Sequence, residues 1–387
     1  GGVSGNFATS VLTVSNGAQF SESVSSDAND VFLIVNLARL SPALASGASL
    51  NQVDAIAGID NAIAAGTSAP QAFGNLANQT SSALTANAGQ LAGELGADLA
   101  RADNAMIAPY ENAVFNHLAG IMGAQRMRPA LLQSGPKVWG AIIGGTDVAT
   151  GNAADGSQKF SSSAAGLVAG LDWPVSSNLM LGGALAFGSD HFHVDAGLGK
   201  GKSTSFQLGV YGAVQFTPRI YGTFLGSFGQ NAISTERILT VSGTDDLAAS
   251  LTSQKFVARY ETGIDLHWIK PYAAVEDRLA LMPAYNETSV SGSGNFALSY
   301  GANTVNALDV ELGFRNQADL PMNRNWTLHL SDRLAWQHGS LALMTPWPAI
   351  ARLPARNSPP MAPNLARISL CGRWVPISKT ATGWISG

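Results

Sequence analysis

The chain has 387 residues, of which only 12% are charged, whereas glycine occurs 42 times. Soluble domains carry about 25% charged residues, so this composition argues against an ordinary soluble enzyme. The formal net charge is −4 and the lysines and arginines are scattered singly, which disfavours a nucleic-acid partner. The single cysteine, Cys371, excludes an intrachain disulfide framework and a cysteine-based metal site.

Residues 1–45 predict a short β-rich stub, because small polar and apolar residues alternate there. Two such stretches are 10–14 and 31–35. The chain begins at Gly1 without an initiator methionine or a signal sequence, and we expect it to continue an upstream segment.

Residues 46–130 predict helices, because apolar residues recur three and four positions apart. The two clearest sets are Val53, Ile56, Ile59 and Ile63, then Leu91, Leu95, Leu99 and Met106. Pro70 and Gly74 interrupt the pattern, so we predict several short helices and then one longer helix over about 83–124.

From Val138 to about Gln337 the apolar period changes to two, which predicts strands. These strands run for about 10 residues or more, whereas strands of soluble sheets average about 5–6 and a tilted strand needs about 9–11 to cross a bilayer. Aromatic residues lie toward the strand ends, as at a membrane interface. We therefore favour a transmembrane antiparallel β-barrel over a soluble sandwich, whose apolar face would be its core.

In a barrel, each strand turns one face to lipid and the other to the lumen. The predicted lipid-facing residues are Leu181, Leu185, Phe206, Leu208, Val210, Phe216, Phe256, Leu308, Val310 and Leu312. The predicted lumen-facing charged residues are Arg259, Glu261, Asp265, Glu276, Arg278, Asp309, Glu311, Arg315 and Arg333. Asp277 and Asp332 fall on outward faces, where a bulge or a position at the membrane edge would accommodate them. Long connections, the outer loops, are predicted over 190–200, 232–250 and 286–303.

No motif in the sequence predicts catalysis. His191 and His193 would share one strand face, but no third ligand is evident, and we place both in an outer loop. No nucleophile elbow, phosphate loop or dinucleotide-binding motif occurs. We predict no catalytic residues, no metal and no cofactor, and we therefore predict that the protein is not an enzyme.

Five short motifs accompany this pattern of helices and strands: Asn51-Gln52, Ile59-Asp60, Phe73-Gly74-Asn75-Leu76, Gln90-Leu91-Ala92-Gly93-Glu94 and Val138-Trp139. With these motifs, residues 40–340 show a resemblance to the translocator of bacterial autotransporters. It implies a monomeric barrel of about twelve strands in the outer membrane of a Gram-negative bacterium, plugged by the helix before the first strand. The barrel would anchor and export an N-terminal passenger to the cell surface by type V secretion. Implied partners are outer-membrane lipid, the barrel-assembly machinery and the chain's own passenger segment.

On this resemblance, residues 1–45 are the end of the passenger, 46–130 the linker and pore helix, and 131–342 the barrel. About nine strands are recognisable, so the barrel would be incomplete. Residues 343–387 hold seven of the 17 prolines, and proline is confined to sheet edges. We interpret this tail as the product of a reading-frame shift, with a divergent C-terminus as the alternative. We expect an open sheet, with 343–387 outside it and little regular structure beyond Gln337.

Two other functions stay open at this point. One is a soluble β-rich adhesion or binding module, which Asp277 and Asp332 on apolar faces would suit. The other is the translocator of an enzyme passenger encoded upstream. Dependence on detergent would separate the first from a membrane barrel.

Overall fold

The computed structural model describes residues 11–27, 30–65, 71–121, 135–266, 269–323, 326–343 and 373–379. Near the N-terminus, three strands form a small antiparallel sheet in the order β1-β2-β3. They are β1 (Val11–Thr13), β2 (Gln19–Ser26) and β3 (Val31–Arg39). A single 3-10 turn follows at Ser41–Ala43. Strands thus occupy the region predicted to be a β-rich stub.

Five helices come next: α1 (Leu50–Ala64), α2 (Gln71–Ala77), α3 (Ser81–Leu91), α4 (Glu94–Asp103) and α5 (Ile107–Ile121). The prediction of one longer helix over 83–124 is wrong, because three helices share that stretch. Gly93 separates α3 from α4 with a left-handed φ of 67°, a conformation that favours glycine. No described helix combines the length and the apolar character that a membrane span requires.

Most of the remaining described chain forms one large antiparallel sheet, and its nine long strands match the predicted number; β11 and β13 pair with each other as a separate two-stranded sheet. They are β4 (Lys137–Ala149), β5 (Phe160–Ser176), β6 (Leu179–Val194), β7 (Gly199–Gln215), β8 (Ile220–Leu239), β9 (Asp245–Ile264), β10 (Lys270–Met282), β14 (Asn303–Asn323) and β15 (Trp326–Leu343). Short strands β11 (Tyr285–Asn286), β12 (Thr288–Ser291) and β13 (Ser299–Tyr300) lie between β10 and β14, and β16 (Arg373–Lys379) follows β15.

Each long strand pairs with its neighbours in sequence, so the sheet order is β4 through β10, then β14, β15 and β16. The sheet curls around α5 as a half-barrel, and its edges are β4 and β16. Within the described ranges no ladder joins these two edges, which agrees with the expected open sheet.

Two of the predicted long loops are wrong. Strand β6 continues to Val194 and β7 begins at Gly199, while β8 continues to Leu239 and β9 begins at Asp245. The alternation of buried and exposed residues persists to these ends, because the buried side of the extensions packs against helices: Phe192, Val194 and Ile233 contact Leu95 and Leu99 of α4. The strands therefore extend well past the length that a bilayer needs.

The prediction for the tail is wrong in part. Strand β15 continues past Gln337 to Leu343, and β16 pairs with β15 from Trp326↔Lys379 to Ser331↔Arg373. The pairing shifts register between Thr327 and His329, opposite Pro376, and a bulge is one of the few places where a strand tolerates proline. Residues 344–372 and 380–387 lie outside the described residues, and the reading-frame interpretation stays a prediction.

Candidate functional site

The two faces of the large sheet differ sharply in exposure. On β7, Val210 is 64% exposed whereas its neighbour Tyr211 is fully buried. All ten residues predicted to face lipid lie on the exposed side, where Phe206 is half-exposed and the other nine are exposed. Their apolar band runs along β7 from Phe206 and ends at Phe216, the residue after the strand, a length of about the 9–11 residues that cross a bilayer. Contact with lipid itself stays a prediction.

Aromatic side chains mark one edge of this band. The rings of Phe187 and Phe206 lie 5.0 Å apart on β6 and β7, and those of Phe228 and Phe256 lie 5.3 Å apart on β8 and β9. Such rows of aromatic residues are typical of the membrane interface. The long connections lie at this end of the strands and the short turns, as at 217–219, at the other. By the convention of short periplasmic turns, we refer to the aromatic-marked end as outer.

Helix α5 fills the buried side of the curled sheet. Its Tyr110, Val114 and Leu118 belong to one core cluster with Val168 and Tyr211 of the strands. The small residues of the inward face allow this approach. A Cβ on Gly188 would overlap the Met106 methyl group and would lie 2.8 Å from the Ala165 carbonyl oxygen. This close packing explains why the inward face of these strands carries small residues, whereas the outward face carries large apolar ones.

A network of ion pairs lies beside the helix on β9, β10, β14 and β15. Arg259 Nη1 lies 2.9 Å from Glu276 Oε2 and 3.2 Å from Glu311 Oε2. Arg315 Nη2 lies 2.7 Å from Glu261 Oε2, and Arg333 pairs with Glu311. All of these strands are paired neighbours, so the inward positions bring the charges together.

The network touches the helix at two places. Arg333 Nη1 donates to Asn112 Oδ1 at 3.2 Å, and the Arg259 guanidinium lies 5.0 Å from the centre of the Phe115 ring. The latter distance suits a cation–π contact. The helix is thus held by apolar packing on one side and by charged groups on the other.

The structure gathers all nine residues predicted to face the lumen on the inward side of the sheet. Seven of them are buried, and Arg278 and Arg333 are half-buried. Arg278 pairs with Asp309, and Asp265 lies 3.4 Å from the Lys270 ammonium. That this space is the lumen of a closed barrel stays a prediction.

Of the two aspartates predicted on outward faces, the structure describes the side chain of Asp277. Asp277 is exposed, and β10 pairs with both neighbours without a shift of register, so the bulge suggested for it is absent from this strand. Asp277 lies opposite Ala258 and Leu308, one step inside the aromatic row, because its neighbour Leu279 pairs with Phe256. The side chain of Asp332 lies outside what the structure describes.

Sequence reasoning missed a buried anchor at the end of α4. The Asp103 carboxylate accepts from Asn231 Nδ2 at 2.8 Å and from the Ser253 hydroxyl, and Lys255 Nζ lies 3.2 Å away. The inward position of Lys255 was evident from the alternation that placed Arg259. Asp103 lies in a helical segment and belongs to no motif, so the sequence gave no comparable indication of its role.

A second missed cluster joins α5 to the inner end of β4, β5 and β7. His117 Nε2 lies 2.8 Å from Asp172 Oδ2 and stacks on Trp139 at 4.3 Å. Tyr211 Oη donates to Asp172 at 2.6 Å and accepts from Trp139 Nε1 at 2.6 Å. Of these residues the sequence singles out only Trp139, through its place in the motif of the first strand.

Further groups hold the preceding helices on the outer strand ends. Arg237, 1% exposed, donates to Glu287 and to the carbonyl oxygens of Gln90 and Phe296. Glu94 accepts from the backbone N–H of Gln158 at 2.5 Å, and burial raises the pKa of Glu94 to about 7. The helices α3 and α4 are thereby tied to the loops on the outer side of the sheet.

Among the described residues, no group of three or more His, Cys, Asp or Glu is arranged to hold a metal ion. His191 and His193 lie within β6 and not in a loop, because the strand extends to Val194. Many of the described charged side chains on the inward face form ion pairs, as Arg259 does with Glu276.

The model of the autotransporter β-domain family matches residues 138–344, more than half of the chain. The chain belongs to the autotransporter β-domain family. The predicted family and fold class are confirmed. This autotransporter β-domain is located in the outer membrane, where it anchors and exports an N-terminal passenger. The match to the family model argues against a soluble adhesion module, and translocator domains of this family are not catalytic.

The solved structures that are similar to this autotransporter chain include two translocator domains. The translocator domain of the autotransporter NalP from Neisseria meningitidis is 13% identical, with a TM-score of 0.44 over 65% of this chain and 81% of that one. The β-domain of the Bordetella autotransporter BrkA is 17% identical, with a TM-score of 0.41 over 54% of this chain and 80% of that one. No curated protein is significantly similar in sequence.

Proposed function

We propose that the curled sheet is the wall of the translocator, with its apolar band in lipid and its charged face toward the lumen. The observation that carries this proposal is the contrast across single strands, such as Val210 against Tyr211 on β7. A charged face is costly in lipid, whereas ion pairs and a helix satisfy it in a lumen. The ten outward and nine inward residues predicted from the sequence are assigned accordingly.

Helix α5 is the segment that stays in the lumen once export is complete. Its supports are the packing of Tyr110 and Leu118 on the small inward face and the contacts of Asn112 and His117 with the sheet. The segment runs from the outer end, near Gly188, to the inner end, near Asp172. What precedes α5 therefore lies on the outer side, as an exported passenger requires.

Residues 1–45 are the end of that passenger, 46–130 the linker and pore helix, and 131–342 the translocator wall. Strand β3 supports the first assignment, because Val31 through Val35 are all exposed, with Leu33 at 64%. An exposed apolar strand suits the end of a longer β structure. The translocator acts as a monomer without cofactor or catalysis, and its further partners are membrane lipid and the barrel-assembly machinery.

The test compares two arginine substitutions on the same face of β7. Val210→Arg places a charge in the middle of the apolar band, at a cost of about 2–4 kcal/mol, whereas Thr204→Arg lies outside the aromatic row, where the cost is about 0–1 kcal/mol. We expect Val210→Arg to reduce outer-membrane insertion and surface display of an N-terminal epitope, and Thr204→Arg to leave both near the wild-type level. Equal tolerance of the two variants would contradict the placement of the apolar band in lipid.

A further inference from the structure

We propose that the outward face of β6 and β7 just beyond the aromatic row binds the phosphate groups of an anionic outer-leaflet lipid. This face carries His191 and His193 on β6 and Lys200 and Lys202 on β7, and all four side chains are exposed. They lie in two adjacent rows, because His191 pairs with Lys202 and His193 pairs with Lys200. The four residues, here called the cationic rows, lie on a groove of about 930 Å³.

The row nearer the membrane contains no carboxylate. Along it, Ser163 is opposite His191, and Lys202 is opposite Ser234 on the next strand. Hydroxyl, imidazole and ammonium groups are all able to donate hydrogen bonds to phosphate oxygens. Among the described residues, Lys202 has no ion-pair partner, so its charge is available to a ligand.

The row farther from the membrane is partly neutralised. Lys200 Nζ lies 3.0 Å from Glu236 Oε1, and His193 Nε2 lies 3.6 Å from Asp195 Oδ1. Asp246 also lines this outer part of the groove. The electrostatic preference for an anion is therefore strongest at Lys202, on the side of the groove that faces the membrane.

The depth of the cationic rows matches a headgroup. Lys202 lies four residues from Phe206, about 13 Å along the strand at about 3.3 Å per residue. At a strand tilt of about 40° this is about 10 Å along the membrane normal. The headgroup region adds about 5–8 Å on each side of the hydrocarbon core, and a lysine side chain can bend back toward it. Basic groups at this level are a common basis for recognition of anionic lipids.

The probe is a bis-phosphorylated lipid A, titrated into the full chain purified from outer membranes in detergent, with bound lipid counted by native mass spectrometry. One surface cation contributes about fivefold in affinity. We expect Lys202→Gln to weaken binding about fivefold and Lys200→Gln/Lys202→Gln about 25-fold. The matched control is Arg219→Gln, which removes an exposed cation from the short turn at the opposite end and should leave affinity unchanged.

The same lipid without its phosphates should bind much more weakly, and added salt should weaken the phosphorylated form. The proposal is overturned if the two lipids bind equally, if Arg219→Gln loses as much affinity as Lys202→Gln, or if Lys202→Gln changes nothing. Equal competition by inorganic phosphate or a soluble acidic polysaccharide would also overturn it. Surface display of the passenger epitope should persist in Lys202→Gln, so failure of this proposal is distinguishable from failure of the translocator function.

Discussion

Arg237 offers the sharpest test of how the outer helices are held. Its guanidinium makes four hydrogen bonds: 2.9 Å and 2.5 Å to the two oxygens of Glu287, 2.9 Å to the Gln90 carbonyl and 3.1 Å to the Phe296 carbonyl. These bonds join β8 to the end of α3 and to the 283–302 connection. Glu287 is itself buried, so Arg237→Met would leave its carboxylate without the ion pair and with the hydrogen bond that it accepts from the Leu298 N–H.

Removing one partner of a buried ion pair costs about 3–5 kcal/mol, since the other charge stays buried without compensation. A loss of that much local stability raises the equilibrium constant for local unfolding of these segments by a factor of about 100 or more. We expect amides of 81–91 and 285–300 to exchange hydrogen at least about 100-fold faster in Arg237→Met, measured by mass spectrometry in detergent. The double variant Arg237→Met/Glu287→Met should recover most of the protection, because no buried charge remains.

The control is the exposed pair on the neighbouring strand positions, Lys200 and Glu236, whose side chains are 62% and 40% exposed. Exposed pairs contribute about 0–1 kcal/mol, so Lys200→Met should change exchange little. The reasoning fails if Arg237→Met accelerates exchange less than tenfold, if Lys200→Met has an equal effect, or if the double variant is no better protected than the single one.

Three further changes test other parts of the structure. Burial raises the pKa of Glu94 to about 7 and that of Asp98, on the same helix, to about 6. Because the folded state binds the extra protons, the docking of α4 weakens as pH rises, and protease cleavage of 150–158 should increase between pH 5 and pH 8. Glu94→Gln should reduce this dependence, and Glu94→Gln/Asp98→Asn should abolish it. The new Cβ in Gly188→Ala would displace Met106 and a backbone carbonyl, which should destabilise the fold by about 1–3 kcal/mol in thermal unfolding. In the control Gly183→Ala the nearest atom to the new Cβ is 3.7 Å away, so this variant should be near neutral. Asp277→Leu removes a carboxylate from the apolar band and should raise stability by on the order of 1 kcal/mol, a gain that would be absent if water covers this position.

The strands and their faces were predictable because alternation with period two is a local property of the sequence. Once Phe256 and Arg259 are placed on opposite faces, every neighbour within the strand follows. Strand ends were less predictable, since polar residues at 231–239 resemble a loop until the helices that cover their buried side are known. Packing between distant segments decided those boundaries.

The network of inward charges was predictable as a set but not as pairs. Alternation places Arg259, Glu276 and Glu311 on one face, and only the register of β9, β10 and β14 brings them within 3.2 Å. Asp103 and His117 were missed for a related reason. The partners of each residue are 55 or more positions away in sequence.

The anchor at Asp103 has a mechanical consequence. It lies at the end of α4, a short turn before α5, and it is bonded to Asn231 and Ser253 of β8 and β9. Tension applied to the exported part of the chain would reach this anchor before it reached the helix in the sheet. The force would pass into the ladder of two strands of 20 residues each, among the longest in the sheet. Tension on a surface passenger would thus load the middle of β8 and β9, level with the aromatic row, while α5 stayed packed against the sheet.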